Sequence, residues 1–206
     1  MNKATILATT LFITAFASYA RAHDVPTDAN EINPVEVGTL VPDAAVKTPK
    51  GEAIQLRSLT AGKPSVLVFY RGSWCPYCNR QLSALAEVEK ELLALGYQII
   101  AFSPDKPEIV AETASEAVTY QLIADSALNA AQAFGVAFTV NDAIIKKLGK
   151  HNIDIEAASG ETHHMLPVPA VFLTNAEGRI TYRYYNADYK VRLASEDLLK
   201  AAKAAK

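Results

Sequence analysis

Cysteine is scarce in this sequence. Cys75 and Cys78 are the two cysteines among 206 residues, too few to hold a small fold together with several disulfides. The pair has the spacing CxxC, and no second CxxC follows that would complete the four ligands of a structural zinc site. A chain of this length can bury a hydrophobic core of its own. The two cysteines are therefore candidates for a reactive site rather than for a structural disulfide framework.

An excess of charge of either sign is also missing. The 20 Lys and Arg residues nearly balance the 22 Asp and Glu residues, which gives a net charge of −2 at neutral pH. Nucleic acids and anionic membranes attract basic surfaces, so the sequence predicts neither partner. Hydrophobic residues make up 50% and charged residues 20%, as is usual for a soluble globular domain.

Long apolar runs are missing except at the start of the chain. Residues 4–19 are uncharged and largely apolar, and Ala20 and Ala22 offer small side chains at the positions that a signal peptidase reads. The sequence therefore predicts a signal peptide over residues 1–22, with a mature chain that begins at His23. It predicts a periplasmic or secreted protein, and in such a compartment a CxxC pair can persist as a disulfide.

The rest of the sequence predicts an extended leader over residues 23–34 and one α/β domain over residues 35–206. The clearest part of that domain is a strand–helix–strand unit. Residues 65–70 form a continuous apolar run, typical of a strand buried on both faces, and residues 97–102 form a second one. The helix between them runs from Cys75 to a glycine at its end, so the three elements predict a right-handed βαβ unit.

Shorter elements are predicted on either side of this unit. Strands are expected at residues 44–47, 53–56 and 121–124, a hairpin at 169–174 and 179–185, and helices at 106–117, 127–134 and 139–149. A last helix is expected to begin with Ser195 as its N-cap. Residues 150–166 are polar and predict an irregular inserted loop.

The cysteine pair stands where the first buried strand and its loop give way to the helix. Proline suits the first helical position, so Pro76 predicts that Cys75 is the N-cap and Cys78 the third helical residue. Free backbone N–H groups and the positive end of the helix dipole favour a thiolate there, and Arg71 adds positive charge nearby. The thiolate is the reactive form of cysteine, and this spacing allows the two sulfurs to form a disulfide.

Residues 69–78 read Phe-Tyr-Arg-Gly-Ser-Trp-Cys-Pro-Tyr-Cys and resemble the active-site segment of the thioredoxin superfamily. Trp74 precedes the first cysteine as in thioredoxin, and the tetrapeptide matches that of glutaredoxin. Over residues 35–199 the chain resembles the alkyl hydroperoxide reductase / thiol-specific antioxidant family, the peroxiredoxin branch. The features that carry this resemblance are residues 37–42, Tyr70, Asp125, Gly135 with Val136, and the hairpin around 172–179. The resemblance implies an α/β, thioredoxin-like fold with a central mixed β-sheet flanked by helices.

The same resemblance implies roles at further positions. Pro169 matches the cis-proline that faces the active cysteines in the superfamily, and the backbone of Val168 would then be free to pair with an extended peptide substrate. In the peroxiredoxin frame, Cys78 falls on the peroxide-attacking cysteine and Cys75 on the threonine that assists it. Pro169 lies near the place of the expected arginine, and Phe69 stands where thioredoxin has a buried acid.

The sequence therefore predicts a thiol-dependent oxidoreductase, an exported antioxidant protein that cycles Cys75 and Cys78 between dithiol and disulfide without a cofactor or a metal. Its partner would be a thiol or disulfide protein or a thioredoxin-like reductant. One alternative is a peroxiredoxin that reduces hydrogen peroxide or organic hydroperoxides with Cys78. A second is a copper or zinc metallochaperone that adds His164, next to His163, to the cysteines. The N-cap position favours Cys75 as the attacking sulfur, whereas the peroxiredoxin frame favours Cys78.

Overall fold

The computed structural model describes residues 25–115 and 120–205, and the predicted signal peptide lies outside them. The strands of that part are β1 Ala45–Lys47, β2 Ala53–Gln55, β3 Ser65–Phe69, β4 Gln98–Ser103, β5 Gln121–Ala124, β6 Ala137–Thr139, β7 Met165–Pro167, β8 Ala170–Thr174 and β9 Ile180–Tyr185. Seven of them form one mixed sheet in the order β2-β1-β5-β4-β3-β8-β9, and β6 pairs with β7 in a separate ribbon. The predicted α/β fold with a central mixed sheet is confirmed.

Helices cover both faces of this sheet. They are α1 Leu56–Thr60, α2 Pro76–Ala94, α3 Pro107–Ser115, α4 Asn129–Ala133, α5 Asp142–Gly149, α6 Ile155–Ser159 and α7 Ser195–Ala204. The predicted end of α3 at residues 116–117 lies outside the described residues. Across residues 25–115 and 120–205, no helix has the length and apolar character that crossing a membrane requires.

The predicted strand–helix–strand unit forms the centre of the sheet. All five residues of β3 are buried, because β3 lies between two neighbours and is covered on both faces. It pairs in parallel with β4, with Ser65 opposite Gln98, and in antiparallel fashion with β8. The helix α2 connects β3 to β4, so the loop that leaves the carboxyl end of β3 leads directly to the two cysteines.

The two faces of the sheet hold different cores. On one face α2 and α7 cover a cluster of mostly aliphatic residues that also contains both cysteines. On the other face lies an aromatic cluster, in which Phe69 packs against Phe102 and Phe134 with ring centroids 4.9 Å apart in each pair. Phe172 completes this cluster, at 4.9 Å from Phe134. Because Phe69 belongs to the aromatic face, its side chain points away from the cysteines.

The segment of residues 150–166 is not the irregular loop that its polarity predicts. It contains α6 and most of β7. Asp154 caps α6 by accepting hydrogen bonds from the backbone N–H groups of Glu156 and Ala157, both at 3.0 Å. The scattered apolar residues of the segment, Ile155 and Leu166, join a small third core. Helix capping and tertiary packing therefore outweigh the low average hydrophobicity of this segment.

The N-terminal segment is also more ordered than an extended leader. It contains a 3-10 helix over Ala29–Glu31, and its backbone is tied to the domain at two places. Pro26 accepts a hydrogen bond of 2.8 Å from the Thr139 N–H at the end of β6, and the Val35 N–H donates one of 3.0 Å to Phe134. The first bond holds the segment against the β6–β7 ribbon, and the second ties it to the end of α4.

The last helix begins one residue earlier than predicted. Ala194 is its N-cap and Ser195 its first helical residue. The Ser195 hydroxyl instead donates a hydrogen bond of 2.9 Å to the Ala84 carbonyl oxygen in α2. The serine therefore fastens α7 to α2 instead of capping its own helix.

Candidate redox site

Cys75 occupies the N-cap of α2, with Pro76 at the first helical position. The Cys75 carbonyl oxygen accepts hydrogen bonds from the N–H groups of Cys78 at 3.0 Å and Asn79 at 3.1 Å, and the Cys75 N–H donates to Gly72 at 3.1 Å. Gly72 has φ +131, and a Cβ built on it would lie 2.4 Å from Nε1 of Trp74, so the loop needs glycine there. The predicted start of the helix at the cysteine pair is confirmed.

The two sulfurs differ in their electrostatic surroundings. Both thiols are free and almost fully buried, at 1% exposure for Cys75 and 0% for Cys78. A hydrogen bond from the Cys78 thiol, together with the Cys78 backbone N–H and the guanidinium groups of Arg71 and Arg192, lowers the pKa of Cys75 although burial opposes this. Burial raises the pKa of Cys78, and so does its donation to Cys75. The reduced pair therefore favours a thiolate on Cys75 and a thiol on Cys78.

Arg71 and Trp74 lie beside Cys75, where the sequence places them. Arg71 is 5% exposed, and its guanidinium carbon stands 5.1 Å from the Trp74 ring centroid and 4.2 Å from that of Tyr189. The two rings hold this charge at the site, and among the described residues Arg71 forms no ion pair. A buried guanidinium favours a nearby thiolate, because little water screens its charge, and Arg71 contributes in this way to the lowered pKa of Cys75.

Arg192 is a site residue that sequence reasoning missed. It follows β9 in the loop before α7, and its Nη2 donates to Sγ of Cys78 at 3.4 Å. The loop is fixed against the start of α2 by Tyr189, whose ring meets that of Tyr77 at 5.7 Å. The contact joins residues 114 positions apart, and no local sequence pattern in the loop predicts it.

Asp105 is a second residue of the site that the sequence did not single out. Its carboxylate is 1% exposed and accepts 2.7 Å hydrogen bonds from the Ser73 backbone N–H and the Ser103 hydroxyl. Burial raises its pKa although these bonds oppose the shift. The contact with Ser73 joins the end of β4 to the loop before Cys75, so Asp105 helps to fix the position of that loop.

The prediction that Pro169 has a cis peptide bond is wrong. Cis peptide bonds are absent from the described part of the chain, and Val168 and Pro169 join β7 to β8. The Val168 N–H donates a hydrogen bond of 2.8 Å to the Val136 carbonyl oxygen. That N–H is therefore not free to pair with a substrate, although both Val168 and Pro169 border the cleft beside Cys75.

The histidine pair does not join the cysteines. His163 uses both ring nitrogens, since Nε2 lies 2.8 Å from the Ser126 carbonyl oxygen and Nδ1 accepts from the Met165 N–H at 2.9 Å. His164 pairs with Glu156. In the described residues, no group of three or more His, Cys, Asp or Glu side chains is placed to hold a metal ion. The metallochaperone alternative, which needs His164 beside Cys75 and Cys78, does not fit this arrangement.

Cys75 opens into a cleft of about 1000 Å³. Its walls come from the N-terminal segment, the loop before α2, the β6–β7 ribbon, α5 and the loop after β9. The lining residues are Thr27, Asp28, Ala29, Arg71, Trp74, Cys75, Pro76, Tyr77, Phe138, Asn141, Ile144, Lys147, Leu148, His151, Ile153, Pro167, Val168, Pro169, Ala187, Tyr189 and Lys190. Cys78 does not line this cleft, so a ligand there meets Cys75 first.

Residues 37–183 match the AhpC/TSA family, a span that includes both cysteines and most of the sheet. The chain belongs to the AhpC/TSA family. This membership agrees with the resemblance that the active-site segment and the late hairpin indicate.

Relatives within and around this family carry two kinds of name. Thiol-disulfide oxidoreductase ResA of Halalkalibacterium halodurans is 30% identical over 89 residues, which cover 42% of this chain and 49% of ResA. Peroxiredoxin Bcp of Escherichia coli is 27% identical over 106 residues, which cover 51% of this chain and 67% of Bcp. The match thus spans about half the length of ResA and two thirds of that of Bcp.

Solved structures of proteins named as peroxiredoxins or peroxidoxins share the fold. Peroxidoxin BcpB from Mycobacterium tuberculosis superposes with a TM-score of 0.62 at 18% identity, covering 82% of this chain and 97% of that one. Peroxiredoxin Q from Xanthomonas campestris gives 0.62 at 21% identity, with 84% and 98% covered. The thioredoxin-like architecture is thereby confirmed.

Cys75 is expected to titrate below the ordinary cysteine pKa of about 8.5. Its reactivity toward iodoacetamide should rise with pH through this lowered pKa and level off before the ordinary value is reached, because the thiolate is the reacting form. Arg71→Gln should move the midpoint upward, whereas Arg71→Lys should retain most of the lowering because it keeps the charge. Mass spectrometry of the alkylated Cys75 peptide across pH measures both, and equal midpoints for the Gln and Lys variants would contradict the role given to this charge.

Proposed function

We propose that this AhpC/TSA-family protein is an exported thiol–disulfide oxidoreductase in which Cys75 attacks and Cys78 resolves. The observation that carries the proposal is the asymmetry of the pair. Cys75 borders the cleft and has a lowered pKa, whereas Cys78 lies behind it with a raised pKa. A nucleophile needs an approach for its substrate and an ionised sulfur, and of the two cysteines it is Cys75 that lines the cleft and ionises more readily. The name of the Halalkalibacterium relative, thiol-disulfide oxidoreductase, agrees with this reading.

The exchange takes place in two steps. The Cys75 thiolate attacks one sulfur of a substrate disulfide, which forms a mixed disulfide and releases the other half of the substrate as a thiolate. Cys78 gives its proton to that thiolate, and its sulfur attacks the Cys75 sulfur. The Cys75–Cys78 disulfide forms, and the second half of the substrate leaves as a thiolate that takes a proton from water. The substrate gains two electrons, the cysteine pair loses two, and a thiol or thioredoxin-like reductant restores the pair.

Oxidation of the reduced protein by hydrogen peroxide and by a disulfide tests this proposal. Trp74 is the single tryptophan of the chain and stands directly before Cys75, so its fluorescence can report the reaction in a stopped-flow instrument. We expect rapid oxidation by the disulfide and slower oxidation by peroxide. Rapid oxidation by peroxide together with no reaction with disulfides would overturn the proposal in favour of a peroxidase.

A peroxidase that uses Cys78 is the second candidate function, and Arg192 is the observation that favours it. Its guanidinium contacts the Cys78 sulfur, where it would stabilise a thiolate in the absence of an arginine at position 169. The name of the Escherichia coli relative, peroxiredoxin Bcp, also agrees with this candidate. Two features of Cys78 oppose it, since Cys78 does not line the cleft and its pKa is raised, whereas peroxide needs an ionised sulfur that it can reach.

Arg192→Gln is expected to slow the second step of exchange by about tenfold. The variant loses the charge-assisted contact that stabilises the Cys78 sulfur as its proton leaves. The first attack by Cys75 should change much less, since Arg192 has the smallest influence among the groups that lower the pKa of Cys75. Quenched-flow mass spectrometry should then show accumulation of the mixed disulfide. Arg192→Lys is the control and should accumulate less; no accumulation in the Gln variant would remove Arg192 from the resolving step.

Export and the physiological partner are further parts of the proposal. The apolar run at residues 4–19 and the small residues before His23 support removal of a signal peptide and a periplasmic or secreted location. N-terminal sequencing of the protein from a fractionated cell tests this. A chain that begins at His23 outside the cytoplasm is expected, and a chain that keeps residues 1–22 in the cytoplasmic fraction would contradict it.

A further inference from the structure

The cleft beside Cys75 carries positive charge on a protein that is acidic as a whole. Arg71, Lys147 and Lys190 line it, and His151 adds an imidazole, whereas Asp28 is the one acidic residue among the lining side chains. The whole chain has a net charge of −2. The local excess of cations is therefore opposite in sign to the average surface, and it is concentrated around the reactive sulfur.

The cations of the cleft are not neutralised within the described residues. The ion pairs of residues 25–115 and 120–205 involve His164, Arg183 and Lys203 but neither cleft lysine. Lys147 lies in the last turn of α5 and Lys190 in the loop after β9, so two separate elements bring charge to the same space. Both lysines are exposed, and they remain available for an anionic ligand.

The floor of the cleft is apolar and its size suits a small molecule. Trp74, Phe138, Ile144, Leu148 and Ile153 contribute to it, and they pack around the third core that α6 and β7 complete. A cleft of about 1000 Å³ is at the upper end of the range for small-molecule sites. Because Cys75 is only 1% exposed, a substrate sulfur has to enter the cleft to reach it, which a slender molecule can do more easily than a folded protein.

We infer that the preferred oxidant of the reduced protein is a small disulfide that carries carboxylate groups, held with its apolar chain on the cleft floor and its carboxylates toward Lys147 and Lys190. This inference rests on the proposed exchange function and names the substrate class of that site. The chemistry is the exchange already described: Cys75 takes one half of the disulfide, and Cys78 displaces it. The products are two small thiols and the Cys75–Cys78 disulfide.

Three disulfides of similar size and different charge test the inference. Reduced protein is mixed with dithiodipropionate, which is a dianion, with bis(2-hydroxyethyl) disulfide, which is neutral, and with cystamine, which is a dication. Trp74 fluorescence gives the single-turnover rate for each. The same rates are measured for the double variant Lys147→Glu/Lys190→Glu, and the ratio of variant to wild type for each probe cancels the intrinsic reactivity of that probe.

At low salt, we expect the double variant to slow the reaction with dithiodipropionate by about tenfold. The rate with the neutral probe should stay within about twofold of the wild-type rate, and the rate with cystamine should rise. The matched control is Lys63→Glu/Lys200→Glu, which changes net charge equally at exposed lysines that do not line the cleft; it should leave all three rates within about twofold. Equal effects of the double variant on all probes, or none, would overturn the inference and leave the exchange function standing. If no probe oxidises the wild-type protein, the exchange function fails as well.

Discussion

Cys75→Ser is expected to be nearly inert toward disulfides, whereas Cys78→Ser is expected to capture them as stable mixed disulfides. The first variant loses the sulfur that borders the cleft and keeps one that is 0% exposed with a raised pKa. The rate of reaction should fall by roughly a thousandfold or more, as usual when a nucleophile is removed. The second variant keeps the attacking thiolate but cannot release the bound half of the substrate, so the reaction stops after its first step.

Mass spectrometry under non-reducing conditions separates these outcomes. The reduced variants are exposed to a small disulfide, and the mass added to Cys75 or Cys78 is followed in time, with the double serine variant as a blank. Adducts on Cys78 that form in Cys75→Ser as fast as adducts on Cys75 form in Cys78→Ser would contradict the assignment. A parallel experiment with low peroxide and dimedone tests the peroxidase candidate, because sulfenic acid on Cys78 in Cys75→Ser would make Cys78 the peroxide-reacting sulfur.

The parts of the site that could be predicted from sequence are those encoded within a few neighbouring residues. A buried apolar strand, a short loop and a proline after the first cysteine are enough to place Cys75 at the N-cap of α2, and the structure has it there. Arg71 and Trp74 lie in the same loop, so their positions beside Cys75 follow from the same local geometry.

The parts that could not be predicted depend on contacts between distant segments. Arg192 reaches Cys78 only because the loop after β9 folds back over the start of α2, and no periodic pattern in that loop requires it to do so. The place of Asp28 in the cleft could not be predicted either. Polar residues before a domain indicate an extended leader when only the sequence is considered. Backbone hydrogen bonds of Pro26 and Val35 to the domain change that interpretation.

The resemblance to known families predicts the arrangement of strands and helices correctly but not the backbone geometry at individual residues. It implied the sheet and the late hairpin, which the structure confirms, and a cis bond at Pro169, which it does not. It also placed Phe69 where thioredoxin has a buried acid. In this protein Phe69 faces the aromatic core. A buried carboxylate, Asp105, follows the neighbouring strand β4, and it holds the loop before Cys75 through the Ser73 N–H.

Phe172→Ala is expected to destabilise the protein by about 3–5 kcal/mol, the usual loss for a buried phenylalanine truncated in a core. Phe172 is fully buried in strand β8, and its ring packs edge-on against Phe134 at 4.9 Å and Phe69 at 6.0 Å. Truncation removes both contacts and leaves a cavity that the neighbouring rings cannot close without moving the backbone of β3. Phe172→Leu retains most of the apolar volume and should cost less than about 2 kcal/mol.

The same variant should leave the acidity of Cys75 unchanged, because Phe172 lies in the aromatic cluster on one face of the sheet and both cysteines lie in the cluster on the other. Urea unfolding of the reduced protein, followed by Trp74 fluorescence, measures the stability, and the pH dependence of Cys75 alkylation measures the acidity. A loss below about 1 kcal/mol would show that the aromatic face contributes less than buried area suggests. A shift of the Cys75 midpoint in a variant that is still folded would mean that the two faces are coupled through β3, whose carboxyl end carries the loop to the active cysteine.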